Sequence, residues 1–192
     1  MERIQITHTI DLDGTIIDFE TTHWDVKLGE IITAGFLSKE GFIIYQRLDS
    51  TEEEFKKILN QEIKNNARPY YAFNKGFEES FLGISIDKEL QQCERESAFG
   101  ALLNEGLLDH YNSLCDPCFN DEIDRFWDAY KTKQDRVFLS KIVRHNYCCL
   151  AKEYYLFLKR EEKMNPNEII YLPSSAQIEK NFIRKQLGIF LK

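Results

Sequence analysis

Near the start of the chain Ile4, Ile6, Ile10 and Leu12 alternate with polar residues, a period-two pattern that predicts a half-exposed strand. Asp13-Gly14 follows as a tight turn, and Thr15 to Glu20 (TIIDFE) reads as a more buried strand paired to the first. Two further strands are predicted at Ile31 to Leu37 and Phe42 to Leu48, with Ser38-Lys39-Glu40-Gly41 as a hairpin connection. To this point the pattern describes an antiparallel meander. Ser50 with Glu53 forms a capping-box pattern, and Phe55, Ile58, Leu59 and Ile63 have helical spacing, so a helix is predicted at about 51–64. Arg68 to Asn74 reads as a short strand, and Phe77 to Leu82 as the start of another helix.

Residues 84–130 lose any clean period and read as an irregular insertion of short helical pieces, including the turn-rich Cys115-Asp116-Pro117-Cys118. From Asp135 the pattern resolves into one long helix with Phe138, Leu139, Ile142, Val143, Tyr147, Leu150, Tyr154, Phe157 and Leu158 on its buried side, ended by Asn165-Pro166-Asn167. Ser174 with Gln177 caps a last helix ending near Gly188. With no repeat and no linker, a single α/β domain over residues 1–192 is expected.

Composition narrows the class. The 192 residues carry 32 acidic and 25 basic side chains, a formal net charge of -7, with 43% apolar positions, which suits one folded domain. Only 9 Gly and 4 Pro exclude collagen-like and disordered chains. No run reaches the ~20 apolar residues of a membrane helix, and the opening MERIQITHTI lacks the features of an export signal, so a cytoplasmic protein without membrane contact is expected. Net acidity excludes a coat protein held on phosphate by bulk basic charge. It leaves open a local basic patch, or an enzyme whose carboxylates hold cations. Cys93, Cys115, Cys118, Cys148 and Cys149 are odd in number and are expected as thiols.

Asp11-Leu12-Asp13-Gly14-Thr15 resembles the first motif of haloacid-dehalogenase-like phosphatases, in which Asp11 would be nucleophile and Asp13 acid/base. The stretch before it, IQITHTI, is half polar, where a central parallel strand would be a nearly continuous apolar run. Phosphatase chemistry is therefore the third-ranked reading. Seven residues on, Asp18 and Glu20 fall on one face of the buried strand. Two such carboxylates repel unless a cation lies between them, and their hard oxygens suit Mg2+ or Mn2+.

Asp18-Phe19-Glu20-Thr21-Thr22 resembles the first motif of DEDD exonucleases in the ribonuclease-H-like superfamily, and Phe73-Asn74-Lys75-Gly76-Phe77-Glu78 is similar to the second, with Glu78 where the family has Asp. His145-Asn146 match the third motif of the predicted-exonuclease branch, but Cys149 occupies the place of its acid. The resemblance runs from about residue 15 to residue 158. It implies a ribonuclease-H-like mixed sheet flanked by helices, and a metal-dependent 3′-5′ exonuclease acting on single-stranded DNA or RNA. It also implies a two-metal site for Mg2+ or Mn2+ with Asp18, Glu20 and Glu78 as ligands and His145 as general base on the attacking water. His145, Cys149 and Glu153 lie four apart on one helix face. Cysteine is a poor ligand for Mg2+, so three outcomes stand open: Glu153 supplies the missing oxygen, a more thiophilic metal is used, or hydrolysis is lost and binding kept. The last gives the alternative reading, a weakened or inactive nucleic-acid-binding or interaction domain.

For a single strand, Arg144 with Arg136, Lys141, Lys152, Lys159 and Arg160 of the long helix would meet phosphate, and Trp24 and Phe77, with Tyr70, Tyr71 and Phe73, would stack on bases. Thr21, Asn74 and Asn146, within the three motifs, complete the expected nucleic-acid contacts. Cys115-x-x-Cys118 with His145, Cys148 and Cys149 invites a structural zinc, but the adjacent Cys148 and Cys149 diverge by about 100° on a helix. A structural zinc at that set is not expected.

Overall fold

The computed structural model describes residues 1–93, 96–117, 122–161, 163, 172 and 175–186. A six-stranded mixed sheet is flanked by helices. Its strands are β1 (Glu2–Thr7), β2 (Thr15–Thr21), β3 (Ile31–Ser38), β4 (Gly41–Gln46), β5 (Tyr70–Ala72) and β6 (Lys88–Glu89), in the order β1-β4-β3-β2-β5-β6. The central β2 is antiparallel to β3 and parallel to β5, and β5 is parallel to β6. The predicted α/β class and the hairpin between β3 and β4 are both present.

One pairing differs from the sequence expectation. β1 does not pair with β2; it is the edge strand beside β4, with Ile4 opposite Ile44 and Ile6 opposite Phe42. Asp13-Gly14 serves a close backbone approach instead of a hairpin turn. Gly14 has φ +108°, and a Cβ there would lie 2.2 Å from the carbonyl oxygen of Pro69. Ile10 and Leu12, expected in the first strand, lie beyond its end and are buried in the connection.

The helices are α1 (Glu52–Asn65), α2 (Lys75–Leu82), α3 (Ala98–Asn104), α4 (Leu108–Ser113), α5 (Glu122–Lys133), α6 (Val137–Arg160) and α7 (Ser175–Gln186). α1 is closed by a capping box made by Thr51 and Glu54, one residue later than predicted. It packs Phe55, Leu59 and Ile63 on one sheet face with Ile17, Phe19 and Phe36. α6 covers the other face. Its 24 residues span about 36 Å at 1.5 Å per residue. From Asn146 to Leu158 every residue except Lys152 is buried. Such an all-round apolar helix needs partners on every side, and α3, α4, α5 and α7 join the sheet in supplying them. The irregular region therefore cages α6. Asn165-Pro166-Asn167, Ser174 and Gly188, the predicted boundaries of the last two helices, lie outside the described residues, as does Cys118. Among the described residues, no helix is long and apolar enough to cross a membrane.

Candidate metal centre

The strand face under α6 carries the acids. Alternation along β2 sends Ile17 and Phe19 toward α1 and Asp18 and Glu20 toward α6, as the sequence predicts. The register of β2 against β3 shifts between Glu20 and Thr21, a bulge where the acidic pair ends. Asp18 lies opposite Gly35, whose missing side chain makes room for Asn146: a Cβ on Gly35 would fall 2.2 Å from Asn146 Oδ1. Asn146 Nδ2 donates to Asp18 Oδ2 at 2.7 Å and to the Asp18 carbonyl at 3.3 Å.

Glu78 arrives from α2. Asn74 caps that helix by accepting from the Phe77 amide at 3.1 Å, which sets the helix start and turns Glu78 inward until it is 3% exposed. Glu153 of α6 is 1% exposed, and it lies close enough to Asp18 and Glu78 for their charges to act on it. It is thus Glu153, one turn beyond Cys149, that joins Asp18 and Glu78. Burial, then the Glu20 charge, pushes the Asp18 carboxyl up to about 7. Burial likewise holds Glu78 and Glu153 well above the carboxylate range, with the Asp18 charge adding to both. Glu20 Oε1, Glu78 Oε2 and Glu153 Oε2 are buried without a hydrogen-bond partner.

Cys149 faces the outer part of the centre. Its Sγ lies 3.5 Å from His145 Nε2, which is 3.8 Å from Glu20 Oε1. Glu20, His145 and Cys149 place one donor atom each within 4.8 Å of one another, and among the described residues no other three-donor group is so compact. His145 Nδ1 is held by both oxygens of Asp116, at 2.8 and 2.9 Å, and the Tyr111 hydroxyl donates to that carboxylate. Lys152 Nζ donates to Cys149 Sγ at 3.4 Å. Burial alone would lower the His145 pKa, but the neighbouring Cys149, Glu20 and Asp116 raise it well above 6.5.

A cavity of about 540 Å3 opens onto Glu20 and His145, lined also by Phe19, Thr21, Thr22, His23, Trp24 and Phe77. Trp24 is 78% exposed, with the His23 ring stacked on it at 5.5 Å. Of the residues expected to meet a nucleic acid, Thr21, Trp24 and Phe77 line this pocket. The other three do not. Asn74 is spent as a helix cap, Asn146 is fully buried beneath Asp18, and Arg144 turns away to Ser175 and Glu179 of α7 and the Cys115 carbonyl. Two more cations of the expected stripe are engaged within the fold, Arg160 with Glu96, Glu105 and the Leu90 carbonyl, and Lys141 over the Phe126 ring. Tyr70 and Tyr71 belong to the core.

No protein-family model, curated protein or solved structure matches the chain.

Asp11 is 75% exposed at its side chain, lies outside every described strand and pairs with Lys163 at 3.6 Å, so nothing about its setting resembles a buried nucleophile. Cys148 and Cys149 diverge as expected: Cys148 joins the core under α6, while Cys149 faces His145. Two members of the centre escaped sequence reasoning. Asp116 sits in an aperiodic segment 29 residues from His145, with no local signal. Lys152 was visible only as one of many helix cations, though its i+3 spacing from Cys149 placed it beside the same stripe.

Proposed function

We propose that the chain is a metal-dependent nuclease with a ribonuclease-H-like arrangement, acting as a 3′-5′ exonuclease on single-stranded DNA or RNA. One observation carries this reading: Asp18, Glu20, Glu78 and Glu153 bring buried carboxylates together from β2, α2 and α6, with three of their oxygens unpartnered, beside an open pocket. Buried carboxyls with unpaired oxygens are costly unless they are protonated or a cation binds. The central position of β2, antiparallel to one neighbour and parallel to the other, is compatible with the fold implied by the motif resemblance.

The inner donors Asp18, Glu78 and Glu153, with Glu20 toward the pocket, are hard oxygens of the kind that suits Mg2+ or Mn2+. A cation held there supplies Lewis acidity toward phosphodiester and water. The chain's own part is positioning. Asn146 fixes Asp18, Asn74 sets α2 so that Glu78 points inward, and Trp24 and Phe77 offer faces to a terminal base. His145, beside Glu20 at the pocket, stays the residue the motif resemblance assigns to water activation.

An end-labelled oligonucleotide with Mg2+ or Mn2+ should release mononucleotides from its 3′ end, and Asp18→Asn should abolish release while keeping the circular dichroism of the wild type. The reading fails if Asp18→Asn spares activity while Asp11→Asn removes activity on a small phosphomonoester. A second reading, a domain that binds single strands without cutting them, is favoured by Lys152, whose charge lies beside Cys149 and Asp18 where a cation would otherwise act. It predicts oligonucleotide binding with no hydrolysis under any divalent cation.

A further inference from the structure

Within the same pocket, the outer donors differ in kind from the inner ones. We propose that Glu20, His145 and Cys149 bind a thiophilic divalent cation of the zinc class. The inference deepens the metal-centre reading above by naming the metal, and does not depend on hydrolysis.

Four observations converge on it. The first is spacing: a tetrahedral ion with bonds of roughly 2.0–2.3 Å sets its ligand atoms about 3.3–3.8 Å apart. Glu20 Oε1 to His145 Nε2 is 3.8 Å, and His145 Nε2 to Cys149 Sγ is 3.5 Å. Second, Glu20 is 8% exposed and its Oε1, the atom facing His145, has no hydrogen-bond partner. Third, Asp116 grips His145 Nδ1 with both oxygens, which assigns the proton to Nδ1 and turns Nε2 toward the other two donors. A carboxylate on the far nitrogen is the usual device for orienting a metal-bound histidine. Fourth, Lys152 donates to Cys149 Sγ, a contact that works against the burial that raises the pKa of the Cys149 thiol.

Charge closes the argument. A carboxylate, a thiolate and a neutral imidazole around a divalent ion sum to zero, and the Asp116 carboxylate on His145 offsets the Lys152 ammonium on Cys149, so the buried group is balanced. Binding sends the Cys149 proton and the second imidazole proton to solvent. Sulfur then selects the ion, since thiolate and imidazole favour Zn2+ or Co2+ over Mg2+. Glu20 and His145 also line the 540 Å3 cavity, so solvent and small ions would reach these two donors from it.

Co2+ titration of the full chain reads the thiolate directly. The wild type should bind the ion with a thiolate-to-cobalt charge-transfer band and the strong visible absorption of a tetrahedral centre, and Zn2+ should displace it. Cys149→Ser should remove the band, and Cys148→Ser should keep it. Asp116→Asn should leave the band in place and weaken binding about 10- to 100-fold; this variant carries the test if Cys149→Ser does not fold. The assignment is overturned if Co2+ does not bind, if Cys149→Ser keeps the band, or if Asp116→Asn leaves affinity unchanged. Hydrolysis with Mg2+ that needs Asp18 but comes without a cobalt-thiolate band would sink this inference and leave the nuclease standing. A Cys149-dependent band on a protein that cuts no oligonucleotide would do the reverse.

Discussion

Lys152 is the residue at which the competing readings of the centre meet. Burial acts to lower its pKa, but Cys149, Asp18 and Glu153 overcome it and hold the ammonium charged at every physiological pH. That charge offsets the surrounding acids and competes with any divalent ion for them. Lys152→Met keeps the length and packing of the stem while removing the charge. Divalent-cation affinity at the carboxylates should therefore rise, by calorimetric titration, while the melting temperature of the protein in chelator falls. If both decrease, Lys152 is a support for the centre and not a competitor of the cation. Asn146 makes a complementary case, because its contact with Asp18 is neutral and positional. Asn146→Ala leaves a buried Asp18 oxygen without its donor, and should cost about 1–3 kcal/mol in urea unfolding.

Between elements, one glycine and one arginine fix how α6 lies. Gly35 lets α6 approach β3 closely: a Cβ there would sit 2.2 Å from Asn146 Oδ1 and 2.6 Å from Leu150 Cδ1. Gly35→Ala should destabilise by about 1–3 kcal/mol through overpacking. Because the displaced atom belongs to Asn146, cation affinity should fall as well, an effect that a substitution acting on general packing alone would not produce. Arg144 joins α6 to α7 through Glu179 at 2.9 Å and Ser175 at 2.7 Å. Arg144→Met should lower the melting temperature yet leave the salt dependence of oligonucleotide binding unchanged. A shallower salt slope would show that Arg144 does reach phosphate.

At the scale of the whole molecule, what was legible in the sequence was whatever one element encodes alone. The alternation in TIIDFE put Asp18 and Glu20 on one face, and the fourfold spacing of His145, Cys149 and Glu153 lined them along α6. What depends on distant partners was not legible. β1 chooses β4 about 40 residues away, Asp116 reaches His145 from an aperiodic turn, and the two-residue β6 is too short to carry a period. That Glu153 sits with Asp18 and Glu78 while Cys149 faces His145, a division into inner and outer groups, needed three dimensions. This division has a measurable pH consequence. Asp18, raised to about 7 by burial and by Glu20, and Glu78 and Glu153, raised by burial, keep protons in the fold that the unfolded chain releases near pH 4. Between about pH 4 and 7 the folded state therefore binds more protons, so stability in chelator should fall as pH rises, opposite to an ordinary salt-bridged carboxylate. His145, also raised, adds stability that is lost in the same direction at higher pH. Asp18→Asn removes one of these protons, so its melting temperature should decline less steeply than the wild type across the window. A divalent cation binds the ionised carboxylates and should reverse the wild-type slope. Parallel slopes for wild type and Asp18→Asn in chelator would mean that Asp18 is already ionised in the fold, and the buried acids would then not be held protonated in want of a cation.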